Sequence, residues 1–340
     1  MHSNIVHDAC SFILEHSPCN FQQLKNKKIL IAGGTGYYGK WFLQSFAYIN
    51  KKLCLNAEMH VVSRSPESFL EKNPTFAEYS DLHFIKGDVR DFEFPSGDFS
   101  YLIHAATEVV SGQEKSNPDE MMRVAEYGTE NLLRFAKSAN VERILLTSSG
   151  AVYGPQPCNL ANMPETYPAT PTTIYGKAKK LSEDICMSSG LPCSIARCYA
   201  SVGPWLRLDV QYAVGNFIKN VLDGEPIFIK GDGRPYRSYL YTADLISWLW
   251  TILLDGENGE AYNVGSDIPV SITELAQAVV KSASSDVPIK YGIKPDFSVP
   301  APRYVPDVSK IKNSLGVAQH FGLNEGIKNS FVWHLSSIKK

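Results

Sequence analysis

Over its first 200 residues the chain switches between two hydrophobic periods. Short unbroken apolar runs (Ile29-Leu-Ile-Ala32, Tyr101-Leu-Ile-His-Ala-Ala106, Arg143-Ile-Leu-Leu-Thr147) are separated by stretches of helical period. The runs predict strands over 28–33, 58–63, 83–86, 100–104, 143–148 and 193–198, and the stretches between them predict helices, notably 37–49, 120–138 and 171–189. Strands separated by helices build βαβ units and a parallel sheet. Parallel strands are covered on both faces, which is why they read as continuous apolar runs. Residues 5–25 predict a helix and linker ahead of the first strand.

After residue 200 the texture changes. Short apolar pieces mix with Gly and Pro in Pro226-Ile-Phe-Ile-Lys-Gly-Asp-Gly-Arg-Pro235, followed by Tyr239-Leu-Tyr241 and a Trp-rich helix at 243–254. Ser271-Ile-Thr-Glu274 has the form of a capping box opening another helix. The expected organisation is an N-terminal extension (1–26), a doubly wound α/β domain (27–200) and a smaller mixed α/β substrate domain (201–340), with segments of the last two able to interleave.

The first predicted strand runs into Gly33-Gly-Thr-Gly-Tyr-Tyr-Gly39, and a helix start follows. That order puts backbone N–H groups and the positive end of a helix dipole at one turn, a phosphate-binding arrangement. Glycine at 33, 36 and 39 lets the backbone approach phosphate and lets helix and strand pack closely.

Composition narrows the function class. A chain of 340 residues, 44% hydrophobic, holds a sizeable core. Its net charge of −2 gives no general attraction to nucleic acid or anionic lipid. No apolar run reaches the length of a membrane span, and Met1–Gln23 lacks the layout of a secretory signal. The seven cysteines are scattered and form no Cys-x-x-Cys, a pattern suited to reduced thiols in a cytoplasmic protein. No metal-ligand spacing stands out, so no metal is expected.

Candidate chemistry centres on Tyr175-Gly-Lys-Ala-Lys179, which sets a phenol and an ammonium four apart on one helix face. A neighbouring ammonium favours the phenolate, so a lowered Tyr175 pKa is expected. Tyr48 and Lys52 share the spacing, but read as surface residues near a helix end. Tyr175 is distinguished by following Thr147-Ser-Ser-Gly-Ala-Val-Tyr-Gly154, at the C-terminal end of a strand, where doubly wound sheets bind ligands. Ser149 is placed either to donate to a reacting oxygen or to cap a turn. Trp248 and Trp250 read as core or interface, and His104 as a residue held by the strand-end backbone.

Taken in order, these motifs resemble the extended short-chain dehydrogenase/reductase family, in its nucleotide-sugar epimerase, dehydratase, decarboxylase and reductase branch. The likeness spans residues 27–320 and also rests on Gly87-Asp88, Gly128-Thr129, Asn131, Gly231–Ser238, Asp244 and Arg303-Tyr-Val-Pro-Asp307. It implies a Rossmann sheet and a catalytic trio of Ser149, Tyr175 and Lys179. It also implies a dinucleotide bound by Gly33, Thr35, Gly36, Tyr37, Tyr38, Gly39, Ser63, Arg64, Asp88, Val89, His104, Ala105, Ala106, Thr107, Thr147, Tyr175 and Lys179. A nucleoside-diphosphate sugar would meet Ser149, Gly150, Asn216, Arg237 and Arg303. The guanidinium fork suits phosphate. A homodimer through a bundle of the helices at 120–138 and 171–189 is implied as well.

Departures from the family pattern narrow the reaction. The 4,6-dehydratases resembling this chain carry an Asp-Glu pair after the serine, the decarboxylases keep a Glu, and the C3/C5-epimerising reductases a Cys; here Gly150 and Ala151 follow. Relatives often read Arg-x-Phe-Asn where this chain has Arg197-Cys-Tyr-Ala200. The second strand ends in Val61-Val-Ser-Arg-Ser65 without the acid that binds the ribose of NAD. Arg64 therefore favours NADP(H), with NAD the alternative. The expected activity is hydride transfer at C4, foremost reduction of a 4-keto-6-deoxy sugar, with 4-epimerisation the rival and a catalytically silent nucleotide sensor the outsider.

Overall fold

The computed structural model describes residues 2–106, 117–208 and 212–338. Thr107, expected at the cofactor groove, lies outside them. Six strands follow one another: β1 (Lys28–Ala32), β2 (Glu58–Ser63), β3 (Leu82–Lys86), β4 (Tyr101–His104), β5 (Arg143–Ser149) and β6 (Cys193–Cys198). Each lies within a residue or so of its predicted span, because each is an apolar run bounded by turn residues. With Ala261–Val264 they form one seven-stranded sheet in the order Ala261–Val264, β6, β5, β4, β1, β2, β3. All its pairings are parallel. The order reverses between β1 and β4, and such a reversal opens a crevice at the C-terminal strand ends.

Helices cover both faces: α1 (His2–His16), α2 (Tyr37–Leu53), α3 (Pro66–Lys72), α4 (Pro118–Ser138) and α5 (Ile174–Ser188). Helix α1 packs against α2 and buries Val6, Ala9, Cys10 and Ile13. The N-terminal extension is thus an added piece of the outer layer. Beyond residue 200 come α6 (Ala213–Leu222), α7 (Thr242–Asp255), α8 (Ile272–Ser282), α9 (Ser309–Leu315) and α10 (Leu323–Ile338). Helix α7 is buried on all sides, with Trp248 and Trp250 in the core and Trp250 Nε1 donating to Ser45 Oγ at 2.9 Å. It packs on β5 and β6, and Ala261–Val264 joins the large sheet, so the chain returns to the first unit after residue 240. Helix α8 opens with the predicted capping box, Ser271 and Glu274 bonding reciprocally.

Three short strands, Val270–Ser271, Tyr236–Arg237 and Arg303–Tyr304, form a small sheet of their own. Among the described residues no helix is long and apolar enough to cross a membrane.

Candidate active site

The β1–α2 turn is shaped by contact. Gly33 has φ +88°, and a Cβ there would sit 2.3 Å from the Ala105 carbonyl oxygen. A Cβ on Gly39 would come as close to the Gly33 carbonyl oxygen, at 2.3 Å. Strand β1, the N-terminus of α2 and the end of β4 therefore meet with no room for side chains. A groove opens above them. Gly33, Thr35 and Gly36 form one end, Ser63 and Arg64 one bank, and Asp88, Val89, Ala105 and Ala106 the rest. Asn117, Glu120, Met121 and Val124 of the α4 start also line it. No sequence motif marks those four; the α4 N-terminus reaches the groove only through tertiary packing.

The walls are fixed from behind. Asn131 Nδ2 donates to the Val89 carbonyl at 2.9 Å, and Gly128 leaves space for the Val89 side chain. The Asp88 carboxylate is held by Arg90, Nε to Oδ1 at 2.8 Å and Nη2 to Oδ2 at 3.0 Å, and this guanidinium keeps the Asp88 pKa below the usual carboxylate range. Arg64 is exposed beside it. The Tyr37 side chain packs into the apolar cluster of the C-terminal part, and Tyr38, half-buried, lies near Cys198 and Tyr175.

Beside β4, whose end leads into the groove, β5 stops at Ser149. Its Oγ accepts from Ala151 N–H at 3.2 Å and so caps a 3-10 turn, Gly150–Tyr153. Two phenols, Tyr175 and Tyr304, lie beside the same hydroxyl. Capping and catalytic placement are thus compatible roles of one side chain. Thr173 caps α5 by accepting from Gly176 N–H at 3.0 Å, which starts the helix just ahead of Tyr175 and Lys179. Lys179 is buried and donates to the Thr147 carbonyl at 2.7 Å; its Nζ lies 5.9 Å from the Tyr175 ring centroid.

The expected acidification of Tyr175 is not seen in this structure. Burial, with Tyr212 and Tyr304 nearby, pushes its pKa above the ordinary phenol value. Lys179, whose own pKa burial lowers to about 8, donates to Thr147 and does not offset this. A low-dielectric pocket disfavours both charged forms, and here that outweighs their mutual attraction. His104 is also neutral: burial, then the Lys179 charge, bring its pKa to about 3. Its Nδ1 accepts from the Ala106 N–H at the strand end at 3.4 Å, as expected, and its Nε2 meets the helix side chain of Thr129 at Oγ1 at 2.9 Å. Thr129 in turn donates to the Ala125 carbonyl, so Nε2 carries the ring proton.

The substrate candidates divide. Arg237 pairs in register with Tyr304, and Tyr236 with Arg303. Successive residues of a strand face opposite ways. Arg237 therefore shares the face of Tyr304, which reaches Ser149; its guanidinium lies 5.8 Å from the Tyr304 ring. Arg303 is on the other face, over the Tyr236 ring at 4.9 Å and bonded to the Ala161 carbonyl at 3.0 Å. Asn216 lies in the first turn of α6, its N–H bonded to the Tyr212 carbonyl at 3.0 Å.

Gly150 also has a physical reason. A Cβ there would strike the Tyr199 ring at 2.5 Å, and Tyr199 packs on Tyr304 with centroids 4.5 Å apart. The space that an acidic side chain would need is filled by aromatic rings. Tyr304 and Tyr199 were not singled out as site residues from sequence; the Arg303–Asp307 motif containing Tyr304 was the available signal.

The groove suits a dinucleotide on its own geometry, with a cradle that any Cβ would fill and N–H groups at a helix start, and the phenol–ammonium–hydroxyl trio stands at the end of the neighbouring strand. Residues 29–265 match the family described as NAD dependent epimerase/dehydratase. UDP-glucuronic acid decarboxylase 6 of Arabidopsis thaliana is 28% identical over 309 residues, 89% of this chain and 87% of that protein. A dTDP-glucose 4,6-dehydratase of Streptomyces niveus is 24% identical over 318 residues, 90% and 92% of the two chains. Among solved structures, UDP-glucose 4-epimerase of Thermotoga maritima, in a structure with UDP-glucose, superposes with a TM-score of 0.76 at 21% identity, over 92% of this chain and 99% of that one. That last likeness is one of fold. Fold, groove and sequence match agree: the chain belongs to the NAD-dependent epimerase/dehydratase family.

Proposed function

We propose that this enzyme moves hydride at C4 of a nucleoside-diphosphate sugar, reducing a 4-keto sugar to the alcohol. The observation that carries the reading is the cluster of Ser149, Tyr175 and Lys179 at the C-terminal end of β5, the strand beside β4, where the dinucleotide-shaped groove begins. When bound, the dinucleotide supplies the hydride and the chain handles the proton. Tyr175, neutral by burial, holds its proton at Oη and delivers it to the C4 oxygen, while Ser149 Oγ orients that oxygen. Lys179 steadies the charge left on Tyr175. Arg237, on the face of Tyr304, is the candidate for the diphosphate, and Arg303 is withdrawn from that role by its place on the opposite face.

Gly150, Ala151 and the Tyr199 ring above them leave no acid–base pair beside Ser149 for water loss, and this supports simple hydride exchange over 4,6-dehydration. Arg64, exposed on the groove bank where an NAD enzyme usually places an acid, supports NADPH over NADH. Its replacement by Ala should raise the KM for NADPH about tenfold, with little change for NADH. The rival reading, 4-epimerisation with retained NAD, gains from the family's cofactor and from solved neighbours such as the Thermotoga epimerase.

The assay is incubation with NADPH and 4-keto-6-deoxy nucleotide sugars of the common bases. Loss of reduced-nicotinamide absorbance is expected. No loss, with conversion of a plain nucleotide hexose in the absence of added cofactor, would establish the epimerase instead. Tyr175→Phe should lower kcat by about 10²- to 10⁴-fold while cofactor still binds; unchanged nucleotide responses would identify a sensor. Helices α4 and α5 pack side by side and expose Tyr127 and Met187. They are the proposed dimer bundle, which a monomeric mass in light scattering would remove.

A further inference from the structure

We propose that Glu58, His60 and His83 form a binding site for a divalent transition-metal ion of the zinc, nickel and copper class, on the large sheet away from the catalytic groove. The sequence hides it because the two histidines lie on different strands. Glu58 and His60 are two apart on β2 and so share a face; His83 on β3 is the registered partner of His60 and shares it too. Among the described residues, this is the group of His, Cys, Asp and Glu side chains whose ligand atoms converge, all within 4.8 Å of one another.

His60 Nε2 is 3.2 Å from Glu58 Oε2 and His83 Nε2 is 3.9 Å from the same oxygen. Ligands about 2.0–2.2 Å from one ion stand roughly 3.0–3.5 Å apart. The first pair already meets that spacing. The second, and the two imidazoles within 4.8 Å of each other, reach it by a shift of about 1–2 Å of the His83 side chain, which is 44% exposed. His60 is anchored at the other side by the edge of the Phe99 ring, with centroids 4.9 Å apart. Two imidazoles and one carboxylate suit borderline cations and leave positions for water.

One group opposes the ion. Lys28, the registered partner of Glu58 on β1, sets its Nζ 3.8 Å from Glu58 Oε2. Its side chain is 40% exposed and can swing into solvent. The ion would tie edge strand β3 to β2, and binding to the folded state alone would stabilise that edge. The ends of these strands that bear Ser63 and Arg64 are not involved.

The test uses the full chain in chelator-free buffer, titrated with Co²⁺ and read by visible absorption, with Zn²⁺ binding followed by calorimetry. A d–d band saturating at one Co²⁺ per chain is expected, and Zn²⁺ should displace it. His83→Ala, at an exposed position, should weaken Zn²⁺ at least tenfold without lowering the metal-free Tm, and Glu58→Gln should weaken it as well. Lys28→Gln, which removes the competing ammonium, should tighten Zn²⁺ severalfold. Equal affinity in wild type and His83→Ala, or a cobalt–thiolate charge-transfer band marking cysteine ligation, would overturn the site.

Discussion

At the scale of single residues, the groove tests how much a backbone position can demand. Gly33 combines a left-handed φ with a 2.3 Å approach to the Ala105 carbonyl. Gly33→Ala is therefore strained twice, once in its backbone and once against β4. It should abolish dinucleotide binding, seen as loss of nicotinamide fluorescence enhancement, and lower the Tm. Tyr304 makes a different demand. It lies beside the Ser149 hydroxyl together with Tyr175. Tyr304→Phe should leave the cofactor KM unchanged and lower kcat about tenfold, as Ser149 loses a polar neighbour; a shift in cofactor KM alone would refute that placement. The Tyr175–Lys179 spacing was legible as a pair, but its electrostatics were not. Whether an ammonium acidifies a neighbouring phenol depends on burial, and burial is not written in a four-residue spacing.

Among elements, the catalytic strand and helix are joined from below by a buried polar chain. Ser148 Oγ donates to Glu183 Oε1 at 2.5 Å, Arg197 bonds both Glu183 oxygens at 3.1 and 2.8 Å, and Arg197 Nη1 donates to Tyr153 Oη at 2.9 Å. Tyr153 continues to Asn263 at 2.9 Å, and Asn263 holds the carbonyls of Met163 and Asp307. The network links β5, α5, β6 and the Ala261–Val264 strand beneath Ser149 and Tyr175. Glu183→Ala leaves the Arg197 guanidinium buried without its carboxylate and should cost about 3–5 kcal/mol, measured by denaturant unfolding. Glu183→Gln, which keeps an acceptor, should cost less. Strand positions were readable because parallel strands are apolar throughout. The joint between them was not, because its members come from four separate segments.

For the whole molecule, one acid couples the last helices to the core. Asp244, in the first turn of α7, accepts from the backbone N–H groups of His320 and Phe321 at 3.0–3.1 Å. Burial nonetheless raises its pKa to about 7. The fold binds this proton more tightly than the unfolded chain does. Its contribution to stability is therefore full at low pH and lost as pH climbs from about 4 to about 7. Asp244→Asn cannot titrate, so the Tm difference between variant and wild type should change across that window and stay flat above it. A constant difference from pH 4 to 8 would show that Asp244 titrates normally.

The sequence alone determined the βαβ succession, the glycine turn, the helix caps and the order of the family motifs, since each depends on residues close together in the chain and on local steric and hydrogen-bonding rules. Tertiary structure decided which face each arginine of the small sheet presents, that Tyr199 fills the space beside Gly150, and that Tyr175 is held neutral. It also decided that His60 and His83 meet. Each of these depends on contacts between distant segments and on the removal of water around them, which no local pattern encodes.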